Sequence, residues 1–191
     1  MNTWLISDTH FFHEKIKQYC DRPDDWQDRI LNNWKNIIKN DDTVYHLGDF
    51  MFGKIDHKIN YLKEFITGNI ILIKGNHERS GVSWFKNNLN IELIKNKFYI
   101  INVDDVKIAL SHVPLNSNIL VDNDIKVNIH GHIHNNYYFI KKEKDMVWFN
   151  VSVEQLNYKP INICNIIEYI NDLKDKKELL INQCSISEDR G

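Results

Sequence analysis

The stretch Ile70-Ile71-Leu72-Ile73-Lys74-Gly75-Asn76-His77-Glu78 decides the fold. Four consecutive apolar residues, three of them β-branched, read as a strand buried on both faces, because a strand with one wet face would alternate. Burial on both faces requires a covering layer on each side, and the upstream sequence supplies helices for it. Trp4–Ile6 and Thr43–Leu47 read as two further short strands. Between them Trp26, Ile30, Trp34 and Ile37 or Ile38 recur at helical spacing, predicting a helix over Asp24–Ile38. Ile55, Ile59, Leu62 and Ile66 mark a second helix over Ile55–Ile66. Strands alternating with helices of this length predict βαβ units and an α/β fold.

The second half changes character. Phe98–Val103 and Val106–Leu110 flank Asp104-Asp105, a hairpin pattern, and Ile125–Ile129 is a further strand. Tyr137–Ile140 and Val147–Val151 read as another hairpin around a lysine-rich turn, with Lys141, Lys142 and Lys144 at a solvated tip. Asn165–Leu180 carries a helix pattern, with Lys174, Lys176 and Lys177 on its wet face, and the chain closes in a polar tail. Without repeats or Pro/Gly linkers, we expect one domain over residues 1–182 and a tail over 183–191.

Composition sets the outer bounds. The chain has 191 residues, with 24 Lys+Arg against 26 Asp+Glu and a formal charge of −2 at pH 7. A chain this long buries about 70% of its unfolded surface, enough for a proper core. Near-zero charge argues against holding long nucleic acids by bulk electrostatics. No apolar run reaches the roughly 18 residues of a membrane span, and Asp8 comes too early for a signal peptide. Cys20, Cys164 and Cys184 are widely spaced with no CxxC pair, so a reducing cytoplasm is the expected compartment. There the sequon Asn150-Val151-Ser152 carries no weight as a glycosylation site.

The chemistry-bearing residues fall just past the ends of the strands. Asp8 and His10 follow the first, Asp49 the second, and Asn76 and His77 the third. His112 follows Val106–Leu110, and His132 and His134 follow Ile125–Ile129. In α/β sheets the carboxyl edge of the strands is where ligands bind. Imidazole, carboxylate and amide together suit first-row transition metals (Mn, with Fe, Zn or Ni as alternatives) better than Ca or Mg alone. Seven ligand-type groups exceed what one open metal site takes, and two metals sharing a carboxylate account for the number.

Asp-x-His, Gly-Asp, Gly-Asn-His-Glu, a later His and Gly-His-x-His, in this order from Trp4 to about Val153, resemble the calcineurin-like metallophosphoesterase superfamily. The opening Asp8-Thr9-His10-Phe11-Phe12-His13 is similar to its small, stand-alone bacterial and phage-type members. The resemblance implies two packed mixed β-sheets with flanking helices, a four-layer sandwich. It implies that Asp8, His10 and His134 hold one metal, that Asn76, His112 and His132 hold the other, and that Asp49 bridges them. His77 would protonate the leaving group or steady the phosphoryl oxygens. A hydroxide held between two divalent ions would attack a small phosphoester or nucleotide in line. The expected activity is a phosphodiesterase or nucleotide phosphohydrolase. The alternatives are a phosphomonoesterase on small phosphates or a scaffold that keeps the fold without catalysis.

Departures sharpen the assignment. Gly-Asn-His-Glu also occurs in the serine/threonine phosphatase branch, but Asp49-Phe50-Met51-Phe52-Gly53 lacks that branch's Asp-Arg-Gly run. His13 either reaches substrate phosphate or caps the Glu14–Tyr19 helix and packs under the loop. Arg79 either clamps a phosphate oxygen or forms a surface ion pair. His46 and His57 fall inside a strand and a helix and read as structural, and His130 as a support or core residue. Trp26, Trp34 and Trp84 are expected in the core, with Tyr137 and Tyr138 packed at a strand start.

Overall fold

The computed structural model describes residues 1–53 and 56–173, with the side chains of residues 56 and 57 left out of that description. The expected domain boundary at residue 182, the polar tail, Lys174, Lys176, Lys177, Cys184 and the His57 side chain therefore lie outside the described residues.

Among the described residues ten strands form two five-stranded sheets. The first has the order β10-β1-β2-β3-β4, from β1 (Thr3–Ile6), β2 (Thr43–His46), β3 (Asn69–Ile73), β4 (Glu92–Ile94) and β10 (Ile161–Asn162). Strands β1 to β4 run parallel and β10 is antiparallel to β1. The second has the order β5-β6-β7-β9-β8, from β5 (Phe98–Val103), β6 (Val106–Ser111), β7 (Val127–His130), β8 (Ile140–Glu143) and β9 (Met146–Asn150). Its three central strands are parallel and its two edges close as antiparallel hairpins. Both sheets are mixed, as the α/β reading requires.

Alternation along each strand sorts the core into layers. On one face of the first sheet Ile6, Val44, Ile70 and Leu72 pack with Trp26, Ile30, Leu31 and Trp34 of α2 (Trp26–Ile37), Leu62 of α3 (Asp56–Lys63) and Phe85 and Leu89 of α4 (Val82–Leu89). On its other face Leu5, Leu47 and Ile73 meet Ile108, Leu110, Val127, Ile129 and Phe149 of the second sheet. Ile163, Ile166, Ile167 and Ile170 of the helix spanning 163–173 join this central layer. The outer face of the second sheet carries Ala109, Met146 and Trp148 against Leu120 of α5 (Ser117–Asp122). The apolar run Ile70–Ile73 is thus covered on both sides.

Four elements escaped the periodicity: α4, β4, α5 and β10. Each is eight residues or fewer, too short for a pattern to repeat. Their ends are set by local bonds instead. Left-handed Asn90 ends α4, and the Asn116 side chain caps α5 by accepting from the Ile119 amide at 3.0 Å. Ile125 is not a strand residue, because its amide donates to Leu120 O and closes α5, so β7 starts at Val127. Likewise β8 pairs only from Ile140, and Tyr137 is 77% exposed rather than packed, whereas Tyr138 packs against the outer cluster. The ammonium groups of Lys141 and Lys142 sit over Trp148 and Tyr169, so their stems cover aromatic surface near the turn.

Candidate metal centre

Parallel strands deliver their carboxyl ends to one edge, and the loops beyond stay zipped together. The Asp8 amide donates to Gly48 O, His10 to Asp49 O and Phe11 to Phe50 O, extending the β1–β2 ladder past both strands. The sheets meet at this edge, where the Ser7 amide donates to Val151 O and the Val153 amide to Ser7 O. Asp8 from the first sheet is thereby carried against the His132–His134 loop of the second.

Tight turns bring the side chains inward. Asp8, His10, Asp49, His132 and His134 all adopt left-handed backbone, with φ between 48° and 72°. Such a conformation costs about 1–2 kcal/mol per non-glycine residue, and its clustering at one edge is the pattern of a functional site. Gly75 and Gly131 permit the approach. A Cβ on Gly75 would strike the Asp49 carboxylate, and one on Gly131 would strike Ser7 Oγ and Asp8 Oδ2.

Asp49 lies at the middle. Its Oδ2 is 3.4 Å from His112 Nε2, 3.5 Å from His10 Nε2 and 3.9 Å from His77 Nε2, while its Oδ1 accepts from the His77 amide at 2.9 Å. His112 Nε2 faces Asn76 Oδ1 at 2.8 Å and His132 Nδ1 at 3.2 Å. His134 Nε2 is 3.9 Å from Asp8 Oδ1. All seven residues expected as ligands, with His77, therefore converge. Asp8, His10, Asp49 and His112 are buried, and Asn76 and His132 form the exposed side.

The donors fit divalent cations. Three groups each bring ligand atoms within 4.8 Å of one another: Asp8, His10 and His134; His10, Asp49 and His77; and Asp8, Asp49 and His112. Asp8 Oδ1 and His10 Nε2 are buried with no hydrogen-bond partner, a costly state for protein alone and the expected one for atoms that face a cation. Burial pushes the His10 imidazole down to about 2, so its lone pair is free. Burial works the same way on His112 and His134, but hydrogen bonds and nearby carboxylates outweigh it: the bond to Asp49 and the charges of Asp8 and Asp49 lift His112 to about 9, and bonds to the Cys20 sulfur and Glu154, with the Asp8 charge, lift His134 to about 10. Burial would raise Asp49, yet His112, His10 and the His77 amide hold it well below the usual carboxylate range.

The chain belongs to the calcineurin-like phosphoesterase superfamily. The model of that superfamily domain matches residues 1–153. The superfamily is metal-dependent and hydrolyses phosphoesters. An uncharacterized protein of Methanocaldococcus jannaschii is 35% identical over 176 residues, covering 87% of this chain and 90% of that one. The gene 66 protein of Mycobacterium phage L5 is 26% identical over 160 residues, covering 70% and 77% respectively. Among solved structures, a protein of unknown function from Aquifex aeolicus superposes with a TM-score of 0.74 at 28% identity, covering 88% of this chain and 99% of that one. Among the described residues no helix is long and apolar enough to cross a membrane.

The other residues that the sequence singled out lie around this centre or in the core. His13 stacks on Phe52, with ring centroids 4.3 Å apart, and its Nδ1 is 3.4 Å from His10 Nδ1, so its side chain turns toward the centre. Arg79 is exposed and lines a hollow beside His77, with Phe52 5.8 Å away. His46 is buried and bonds Thr9 Oγ1 at 3.0 Å, and His130 sets its Nδ1 2.9 Å from Gly131 O. Trp26 and Trp34 are buried, and Trp84 packs at the core's margin.

Glu78, the last residue of Gly-Asn-His-Glu, and four residues outside the motifs also build the centre. Glu78 accepts amides from Asp49, Phe50 and Gly75 at 3.1, 2.6 and 2.6 Å, bracing two loops with one carboxylate. Asn150 and Ser152, dismissed as a sequon, hold the centre's floor: Asn150 Nδ2 donates to His134 O, and Ser152 Oγ donates to Asp8 Oδ2. Arg22 and Glu154 form a buried ion pair behind His134. Their only sequence signal was polar residues flanking the known motifs.

Proposed function

We propose that this centre holds two divalent transition-metal ions, with Mn the first to test, and hydrolyses small phosphodiesters or nucleotides. The observation that carries the reading is Asp49, a buried carboxylate ringed by three imidazoles with orphaned donor atoms close by. Asp8, His10 and His134 would hold one ion, Asn76, His112 and His132 the other, and Asp49 both. When bound, such a pair supplies Lewis acidity to the phosphoryl oxygens and a nucleophile from water at neutral pH.

The chain's own groups do the rest. His77 is pinned by its amide to Asp49 and leaves its imidazole one-third exposed, placed to protonate the departing oxygen. Arg79 and His13 would orient the remaining phosphoryl oxygens. Among the described residues lining the hollow beside His77, Arg79 supplies a guanidinium. The diester reading follows from the likeness to the small, stand-alone members of the superfamily.

Turnover of bis-p-nitrophenyl phosphate and p-nitrophenyl phosphate in Mn, Ni, Zn and Mg tests this. The expected result is metal-dependent hydrolysis with the diester faster. Preference for the monoester would overturn the substrate class, and no metal uptake with no turnover would favour a scaffold.

A further inference from the structure

The two halves of the centre are anchored differently. His112 Nδ1 lies 2.8 Å from the main-chain oxygen of Leu47, an ordinary backbone tether. His134 Nδ1 lies instead 3.0 Å from Glu154 Oε1, and that oxygen also accepts from Arg22 Nε at 2.8 Å and Nη2 at 2.6 Å. Arg22 has no exposed side-chain surface and Glu154 only 4%. The same guanidinium donates to Asp8 O at 2.6 Å and Thr9 O at 3.1 Å, clasping the left-handed turn that aims Asp8 and His10. Cys20, His134 and Glu154 also gather ligand atoms within 4.8 Å. Arg22 already neutralises Glu154, however, so this group is a support for His134 and not a cation seat of its own.

We infer that Arg22 and Glu154 are positioning residues for one metal of the pair. Glu154 accepts a hydrogen bond from Nδ1–H, which fixes the ring of His134 and turns its Nε2 edge toward Asp8. Arg22 holds that carboxylate in place and, from its other edge, the backbone of Asp8 and Thr9. One buried cation thus sets the geometry of the Asp8–His10–His134 side while leaving the Asn76–His112–His132 side alone. The inference rests on the two-metal reading above. Carboxylate–histidine–metal relays of this kind are worth about 10–100-fold in metal affinity. Burial of a full ion pair is otherwise poorly repaid in stability, so its presence behind a ligand calls for a purpose beyond packing.

Calorimetric titration of Mn into the metal-free full chain reads the effect without turnover. Wild type is expected to take two equivalents. In Glu154→Gln, which keeps the shape and loses the charge, one equivalent should weaken about 10–100-fold and the other stay within about twofold. In a His134→Ala background the same substitution should change nothing further, because Glu154 acts through that ring. Asp42→Asn removes a buried charge at the amino end of β2, the edge opposite the centre, and should lower the melting temperature without separating the two equivalents. Equal weakening of both equivalents in Glu154→Gln, or none, overturns the inference. Should that variant fail to fold, Glu154→Asp carries the same asymmetry as its criterion. Wild type binding a single equivalent would end the two-metal reading, and survival of that equivalent unchanged in Glu154→Gln would end this one too.

Discussion

Asp42 and Asp49 sit at opposite ends of the same strand, both buried, and do different work. At the amino end of β2, Asp42 accepts from the Asn2 amide at 2.6 Å, the Trp4 indole at 3.0 Å and the Lys39 amide at 3.1 Å. Three donors from two segments surround it, so it fastens the start of β1 to the stretch that follows α2. At the carboxyl end Asp49 takes one amide bond and otherwise faces imidazoles, close to the unpartnered Asp8 Oδ1 and His10 Nε2. A buried carboxylate supplied with donors is a clamp. One ringed by ligand-type nitrogens, with unpartnered ligand atoms beside it, has the surroundings of a cation seat.

Substitutions at the two ends sharpen or break that contrast. Asp49→Asn should have the largest effect, a loss of about 10⁴-fold in kcat/KM toward the diester, if the proposed sharing of Asp49 by two ions holds, because several kcal/mol of charge stabilisation goes with it. Metal content measured by atomic emission should fall in parallel. His77→Ala should cost about 10²–10³-fold in kcat with metal content unchanged, the signature of a lost proton donor. That gap should narrow for substrates whose leaving group needs no proton, such as p-nitrophenolate.

Asp42→Asn should leave kcat and metal content alone and lower stability, since an amide nitrogen would face at least one of the three donors. Its amide and indole partners hold the Asp42 carboxyl down to about 2, against about 3.9 when unfolded. The stabilisation is therefore complete above the unfolded value and is lost as pH falls from about 4 toward 2. Denaturant melts of both proteins across that range should converge at the acid end. A difference that persists at pH 2, or any loss of turnover in Asp42→Asn, would blur the distinction between the two ends.

Much of the centre was legible because its residues follow strands, and strands with their exits are local patterns. Apolar Ile70–Ile73 announced β3, and Gly75-Asn76-His77 marked the turn where the chemistry leaves it. Short elements were not legible: α5 is six residues long and is held by one asparagine cap and the outer face of the second sheet. Tyr137 looked like a strand residue by composition, but the loop after His134 bonds Asn150 and Gln155, which delays pairing to Ile140.

The order of Asp8, His10, Asp49, Asn76, His77, His112, His132 and His134 along the chain was set by the sequence alone, since the eight fall just past the ends of five strands. Only the tertiary structure decided which of them are held, and by what. Arg22 reaches Glu154 across 132 positions of chain, and Ser152 reaches Asp8 across 144. Contacts at such separations leave no periodicity in either partner's neighbourhood. They exist because two sheets pack face to face and close their loops over one shared edge.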